Sequence, residues 1–433
     1  MDTVELKVDR EFEISRTRQW PRQAADRIPG YASSSIGFEV FPTLNIFVLV
    51  TLIIGSTFER MTISVGGFSF YFSHMIMVVL LPFVAVSLAP IGRVFRLLGI
   101  FGLVSLVSFV PAVVVYGYEG RLGSVLQIIA NISLMLTVVS VGSSMGIASM
   151  RRAVSSVTYL FALICIVQIV VFPSRSSASG ERFLGFIRPV AFFTEPTWVA
   201  LFAALLMAAA LSLRLKLPTL LLGLIVLVVF TRSALIVVVA CIVVAAFSWG
   251  SKKTVVVGMV AFTSVFSARF VVGAVQAKHR VEQTTSLDTR QLDIFAVKSA
   301  NGGSLSWWGS EVLRVYDPVR SRLVPSTSNV LSFDLFWKLG IAGLIVLAVW
   351  CILIAWVLPR VSGASLKAKA TVPAWIALAL MPAVMQLNNA FGRPWLWALC
   401  GLLLCVINVC AKQFYELDGR QEFIMNSSSR KAN

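Results

Sequence analysis

Long apolar runs separated by short polar breaks fill most of this chain. Runs long enough to cross a bilayer as helices fall at roughly 41–57, 69–89, 95–116, 123–148, 153–172 and 192–213. Further runs fall at roughly 217–231, 233–249, 254–273, 331–358, 372–390 and 394–411. The pattern predicts an all-α, polytopic membrane protein of about twelve transmembrane helices. Its weakest breaks are Thr231-Arg232-Ser233 and the stretch from Asn388 to Pro394. Residues 1–40 form a charged N-terminal segment, 41–412 the membrane domain with a large outer loop at 274–330, and 413–433 a C-terminal tail.

Basic residues in short loops give the orientation. Arg93, Arg96, Arg151, Arg152, Arg214, Lys216, Lys252, Lys253, Arg360, Lys367 and Lys369 fall on one side when twelve spans are threaded through the bilayer. Both termini fall there too, and that side is expected to be cytoplasmic. The opposite face receives the loop 173–191, the loop 274–330 and the tight turns at Arg232 and Arg393. The large loop runs against the rule, because Lys278, Arg280, Arg290, Lys298, Arg314, Arg320 and Arg322 outnumber its acids.

Composition agrees with the membrane reading, with 58% hydrophobic and 13% charged residues. A net charge of +17 therefore reports topology before it reports a nucleic-acid partner. Cys165, Cys241, Cys351, Cys400, Cys405 and Cys410 all lie in or beside apolar runs without metal-ligand spacing, which argues against structural disulfides and zinc. The charged N-terminal residues show no short apolar core with a cleavage site, so no cleaved signal peptide is expected.

Polar groups at membrane level then hold most of the functional information. Glu195 precedes Pro196 where an Arg-bearing loop turns into an apolar helix. Pro suits the first helical position, which puts Glu195 at the cap, facing the positive end of the helix dipole. It is either an interfacial cap or a catalytic carboxylate. Arg182 and Arg188 precede it, with forks suited to phosphate oxygens or to snorkelling toward headgroups. Arg232 has little loop to hide in and should face the bundle or a polar cavity. In the large loop, His279 is a general-base candidate or a solvated side chain, and Trp307-Trp308 suits a sugar face or an interface anchor. The other histidine, His74, lies within an apolar run.

Four features in this order resemble the bacterial O-antigen polymerase and O-antigen ligase superfamily. They are Glu195-Pro196-Thr197 at a mid-chain helix start, the turn Thr231-Arg232-Ser233, the element Asp288-Thr289-Arg290 in a long outer loop, and Asn329 before Gly340 and Gly343. The resemblance covers roughly residues 180–350. Thr197 stands where Ser is usual. Ser328 precedes Asn329 where many members, notably ligases, have His, which favours polymerase and leaves His279 as a substitute base.

The resemblance implies a GT-C-like membrane glycosyltransferase that moves glycan from an undecaprenyl-diphosphate carrier to a sugar hydroxyl on a lipid-linked acceptor. A chain-length regulator and a flippase become candidate partners, beside membrane lipids. The diphosphate leaving group is already a stable anion and needs positive charge rather than an acid. Arg232 and Arg290 are the first candidates to hold it, with Arg182, Arg188, Arg280, Arg393 and Asn329 in support. No acidic cluster such as D-x-D appears on the outer face, so no metal or other cofactor is expected. For orienting or deprotonating the acceptor, Glu195 comes first, followed by His279 and Asp288. The rivals are a ligase passing polymer to lipid A core, a lipid-glycan flippase or transporter, and a non-catalytic scaffold of an export assembly.

Overall fold

The computed structural model describes residues 42–59, 61–65, 68–85, 92–117, 121–171, 182–183, 186–187, 189–229, 231–249, 306–311, 314–317, 322–325, 330–387 and 389–431, besides Ser299 and Gly303. The apolar run expected near 254–273 lies outside these residues.

The chain opens with α1 (Pro42–Gly55), a β1–β2 hairpin (Thr62–Val65, Phe68–Tyr71), α2 (Phe72–Ala85), α3 (Gly92–Tyr116), α4 (Arg121–Ser143) and α5 (Ile147–Val171). A two-residue hairpin, β3–β4 (Arg182–Phe183, Phe186–Ile187), precedes α6 (Pro196–Ser212), α7 (Lys216–Val229) and α8 (Arg232–Trp249). A third antiparallel hairpin, β5–β6 (Arg314–Asp317, Arg322–Pro325), leads to α9 (Leu331–Leu339), α10 (Ile341–Val361), α11 (Val372–Leu387) and α12 (Pro394–Lys431). Helices α1, α6 and α12 each begin on a proline, whose missing N–H costs nothing at the first helical position.

Packing identifies the surroundings. Along α6, Val199 through Ala210 are buried, and α12 is buried over nearly all of its apolar length. Around this core, α3 and α10 turn Leu103, Val107, Val114, Ile345 and Ile352 outward, with Val114 78% exposed. A bundle apolar both inside and outside is adapted to lipid, since water would not tolerate that outer belt. Small residues bring helices close where dispersion replaces hydrophobic collapse. A Cβ at Gly401 on α12 would lie 3.0 Å from the carbonyl oxygen of Met135 on α4. One at Gly142 would collide with Cys405.

Among the described residues, five helices are long and apolar enough to cross a membrane, namely α3, α4, α5, α10 and the Pro394–Asp418 part of α12. Four shorter apolar helices accompany them at Thr43–Gly55, Pro196–Ser212, Lys216–Val229 and Ser233–Ala246. The chain is thus a mostly helical membrane protein, and these helices show fewer crossings than the twelve expected from hydropathy. Apolar windows overstate helix length where a turn or hairpin is itself apolar. The run beginning near 69 starts in strand β2, and the run at roughly 331–358 breaks at Gly340 (φ 63°).

Hydrogen bonds between helix ends sort the bundle into two poles. Asn45 Nδ2 reaches Ser144 Oγ (3.3 Å), Arg151 Nε reaches the Leu213 carbonyl (3.1 Å), and Lys412 Nζ reaches the Ser143 carbonyl (3.3 Å). With the Ala374 amide on Ser212 Oγ at 3.0 Å, these contacts gather the starts of α1, α5 and α11 with the ends of α4 and α6. Exposed Arg151, Arg152, Arg214, Lys216, Lys367 and Lys369 belong to this basic pole. The opposite pole carries the β1–β2 hairpin and the starts of α4, α6, α8 and α12.

Candidate functional site

At that opposite pole the segment entering α6 is tied down residue by residue. Gln168, near the end of α5, accepts the amides of Val190 (2.9 Å) and Ala191 (2.6 Å) through Oε1. Ala191 sits at φ 48°, a left-handed conformation that a non-glycine residue holds only when its surroundings impose it. Phe192 stacks on Phe58 with centroids 4.0 Å apart. Phe193 is fully buried and meets Phe161, Phe202 and Trp395 edge-on or tilted. Glu195 follows in extended backbone (φ −135°, ψ 142°), with Pro196 starting the helix.

Glu195 therefore takes the predicted cap position, but its side chain makes no cap hydrogen bond and is exposed. The cost of burying an acid falls instead on Glu59, in the turn after α1, which is 3% exposed.

Donors surround Glu59. Its Oε2 accepts the Thr194 amide (3.0 Å) and the Thr194 hydroxyl (3.1 Å), while Oε1 accepts the Trp395 indole N–H (2.8 Å). Arg393 Nε stands 3.9 Å from Oε1. Burial pushes the Glu59 carboxyl above its ordinary range, and the Arg393 charge and the Thr194 and Trp395 hydrogen bonds oppose it. Arg393 is fixed on its other sides as well. Its Nη1 donates to the Tyr71 hydroxyl (3.2 Å), and its guanidinium carbon lies 4.3 Å from the centroid of the Trp198 ring. Burial raises the Tyr71 hydroxyl too, against the Arg393 charge. Tyr71 is held in turn, since its amide donates to His74 Nδ1 (3.4 Å) and His74 Nε2 reaches Asn131 Oδ1 (3.1 Å). That pair of contacts implies a neutral imidazole with its proton on Nε2.

Two charged residues reach the surface around this cluster, at a spot termed here the mouth. Glu195 stands exposed on one side, and Arg393, with its side chain 31% exposed, stands one helical turn away over Trp198. A carboxylate and a guanidinium so placed can orient a hydroxyl and an anionic group.

A second cluster lies at the same pole. Arg121, 1% exposed at the start of α4, donates to the Ser310 carbonyl and to the Gly117 carbonyl (3.4 Å). The Ser310 amide binds the Trp337 carbonyl (2.8 Å), and the Ile341 amide binds the Trp307 carbonyl (2.9 Å). This clasp needs two glycines. Gly309 (φ 106°) and Gly340 (φ 63°) lie so close to the opposing backbones that a Cβ at either would collide. It holds Trp307 (71% exposed) and Trp308 (48% exposed) outward.

Of the residues expected to form the site, the fold brings Glu195 and Arg393 together. Arg232 is the first residue of α8, and Arg182 opens strand β3 opposite Ile187. Arg188, His279, Arg280, Asp288, Arg290 and Asn329 lie outside the described residues. Among the described residues no three of His, Cys, Asp and Glu gather as metal ligands would. Sequence reasoning missed Glu59, Tyr71, Trp198, Trp395 and Arg121. Glu59 sits in Ser56-Thr-Phe-Glu59-Arg60, which reads as an ordinary solvated turn. The one available signal was Trp395 at a helix start, since a buried indole N–H demands an acceptor.

No protein-family model matches this chain, and no curated protein matches it either.

Proposed function

We propose that this protein is a glycan polymerase of the bacterial inner membrane. It would transfer glycan from an undecaprenyl-diphosphate donor to a lipid-linked repeat unit, making O-antigen or an exopolysaccharide on the periplasmic face. In this reading both termini are cytoplasmic, and loop 274–330 is periplasmic. The observation that supports it best is the convergence of Glu195 and Arg393 from distant parts of the chain on one mouth, at the pole away from the basic helix ends. Glu195 orients the acceptor hydroxyl and takes its proton. Arg393, with Arg232 and Arg290, balances the charge of the departing diphosphate. Direct displacement would invert the anomeric configuration.

The test is a glycan gel from a deletion strain complemented with wild-type protein or with Glu195→Gln. The deletion strain should accumulate single repeat units, and wild-type protein should restore the ladder. Glu195→Gln should reduce polymer by at least about 100-fold at normal expression. Full-length glycan from the Gln variant would remove Glu195 from the chemistry. Free polymer lacking lipid A core in the deletion strain would mean a ligase, and repeat units trapped inside would mean a flippase.

A further inference from the structure

The Glu59 side chain has no exposed surface, so it cannot touch a substrate, yet its bonds run to both sides of the mouth. Through Oε2 it holds the amide and hydroxyl of Thr194, the residue before Glu195. Through Oε1 it holds the Trp395 indole and faces Arg393 at 3.9 Å. We propose that Glu59 is the positioning residue that sets Glu195 and Arg393 in register with each other. The inference rests on the polymerase reading for the chemistry those two residues perform.

The geometry gives the reason. Glu195 stands at the end of a segment that Gln168 fixes at Val190 and Ala191 and that Phe193 anchors among aromatic rings. Between that anchor and the helix, only Thr194 remains to set the direction of the backbone. Both polar groups of Thr194 that face inward end on one carboxylate oxygen. Arg393 lies in the turn before α12, and Trp395, two residues on, ends on the other oxygen. One carboxylate therefore ties the approach to α6 to the approach to α12. A buried acid is expensive unless paired, and here its four neighbouring donors satisfy both oxygens. The amide of glutamine cannot do the same. It offers one acceptor, and its NH₂ would abut a donor on either side. Aspartate keeps both acceptors but is one methylene short.

The experiment uses the full-length protein in lipid nanodiscs with a synthetic undecaprenyl-diphosphate-linked repeat unit. Hydrogen exchange is read at Thr194 and across α12, and turnover and KM are measured for wild type, Glu59→Gln, Glu59→Asp, Arg393→Lys and the Glu59→Gln/Arg393→Lys double variant. In Glu59→Gln the Thr194 amide should exchange about tenfold faster while the α12 core between Trp397 and Cys410 is unchanged. Turnover should fall about tenfold or more, Glu59→Asp should recover part of it, and the double variant should lose less than the product of the two single effects. Unchanged exchange at Thr194, or losses that simply multiply, would overturn the positioning role. A wild-type protein that forms no polymer would overturn the polymerase reading, and the exchange result would still decide the role of Glu59.

Discussion

Two arginines at the same pole are held in opposite ways. Arg121 is buried and bound by backbone carbonyls of Gly117 and Ser310, with Tyr116 5.2 Å from its guanidinium carbon. Arg393 is partly open and bound by a carboxylate, a phenol and an indole face. A guanidinium spent on carbonyls fastens loops and has no face left for a ligand. One whose position is set from behind by Glu59 and Tyr71 keeps a face toward solvent. The first arrangement builds structure, and the second leaves a charged face that a ligand can reach.

Lysine at each position should separate the two roles. Arg393→Lys keeps the charge near Glu59 but loses the fork and the stacking on Trp198. Under the proposed polymerase function, polymer synthesis should fall by about 10- to 100-fold with little change in melting temperature. Arg121→Lys should do the reverse, lowering stability by about 1–3 kcal/mol while the folded fraction keeps its activity. Equal thermal losses in the two variants would erase the distinction.

A smaller effect is expected from the aromatic edge that Arg121 supports. Trp307 and Trp308 stand beside Ile341, at the end of the outward-facing side of α10. Aromatic residues in such a place settle at the headgroup level. Brominated lipids should quench a substantial part of the emission that disappears in Trp307→Phe/Trp308→Phe, and activity should stay within about twofold. Absence of that quenching would place the pair in water, beyond the interface.

The smallest effect concerns pH. Burial raises the Glu59 carboxyl above 4.5, so the folded protein binds this proton more tightly than the unfolded chain. Its contribution to stability is therefore present at low pH and lost as pH rises from 4.5 through the raised value, at about 1.4 kcal/mol per unit at most. Melting temperature followed against pH should show this downward component in wild-type protein, and Glu59→Gln should lack it.

Much of the helical layout was legible in advance. Windows placed near α3, α6, α7 and α8 fall within a few residues of the helices, because apolar length and proline or charge punctuation are local properties. Where locality failed, backbone contacts were responsible. Gly340 breaks an apolar run because Trp307 and Trp308 pack against it from a distant loop, and no hydropathy window contains that loop. The same applies to the site. Glu195 was legible as a cap position from Pro196, yet the residues leading to it are held by Gln168 and Glu59 from distant segments.

The chain by itself determined that this is a helical membrane protein, where most of its helices begin, and that Glu195 and Arg393 stand at helix entries. Those properties follow from apolar length and from proline, which act within a few residues. Only the tertiary structure decided that Glu59 is buried, that it joins the approaches to α6 and α12, and that Arg121 and Arg393 differ in kind. A charge is defined by its neighbours, and these neighbours come from segments that the fold alone brings together.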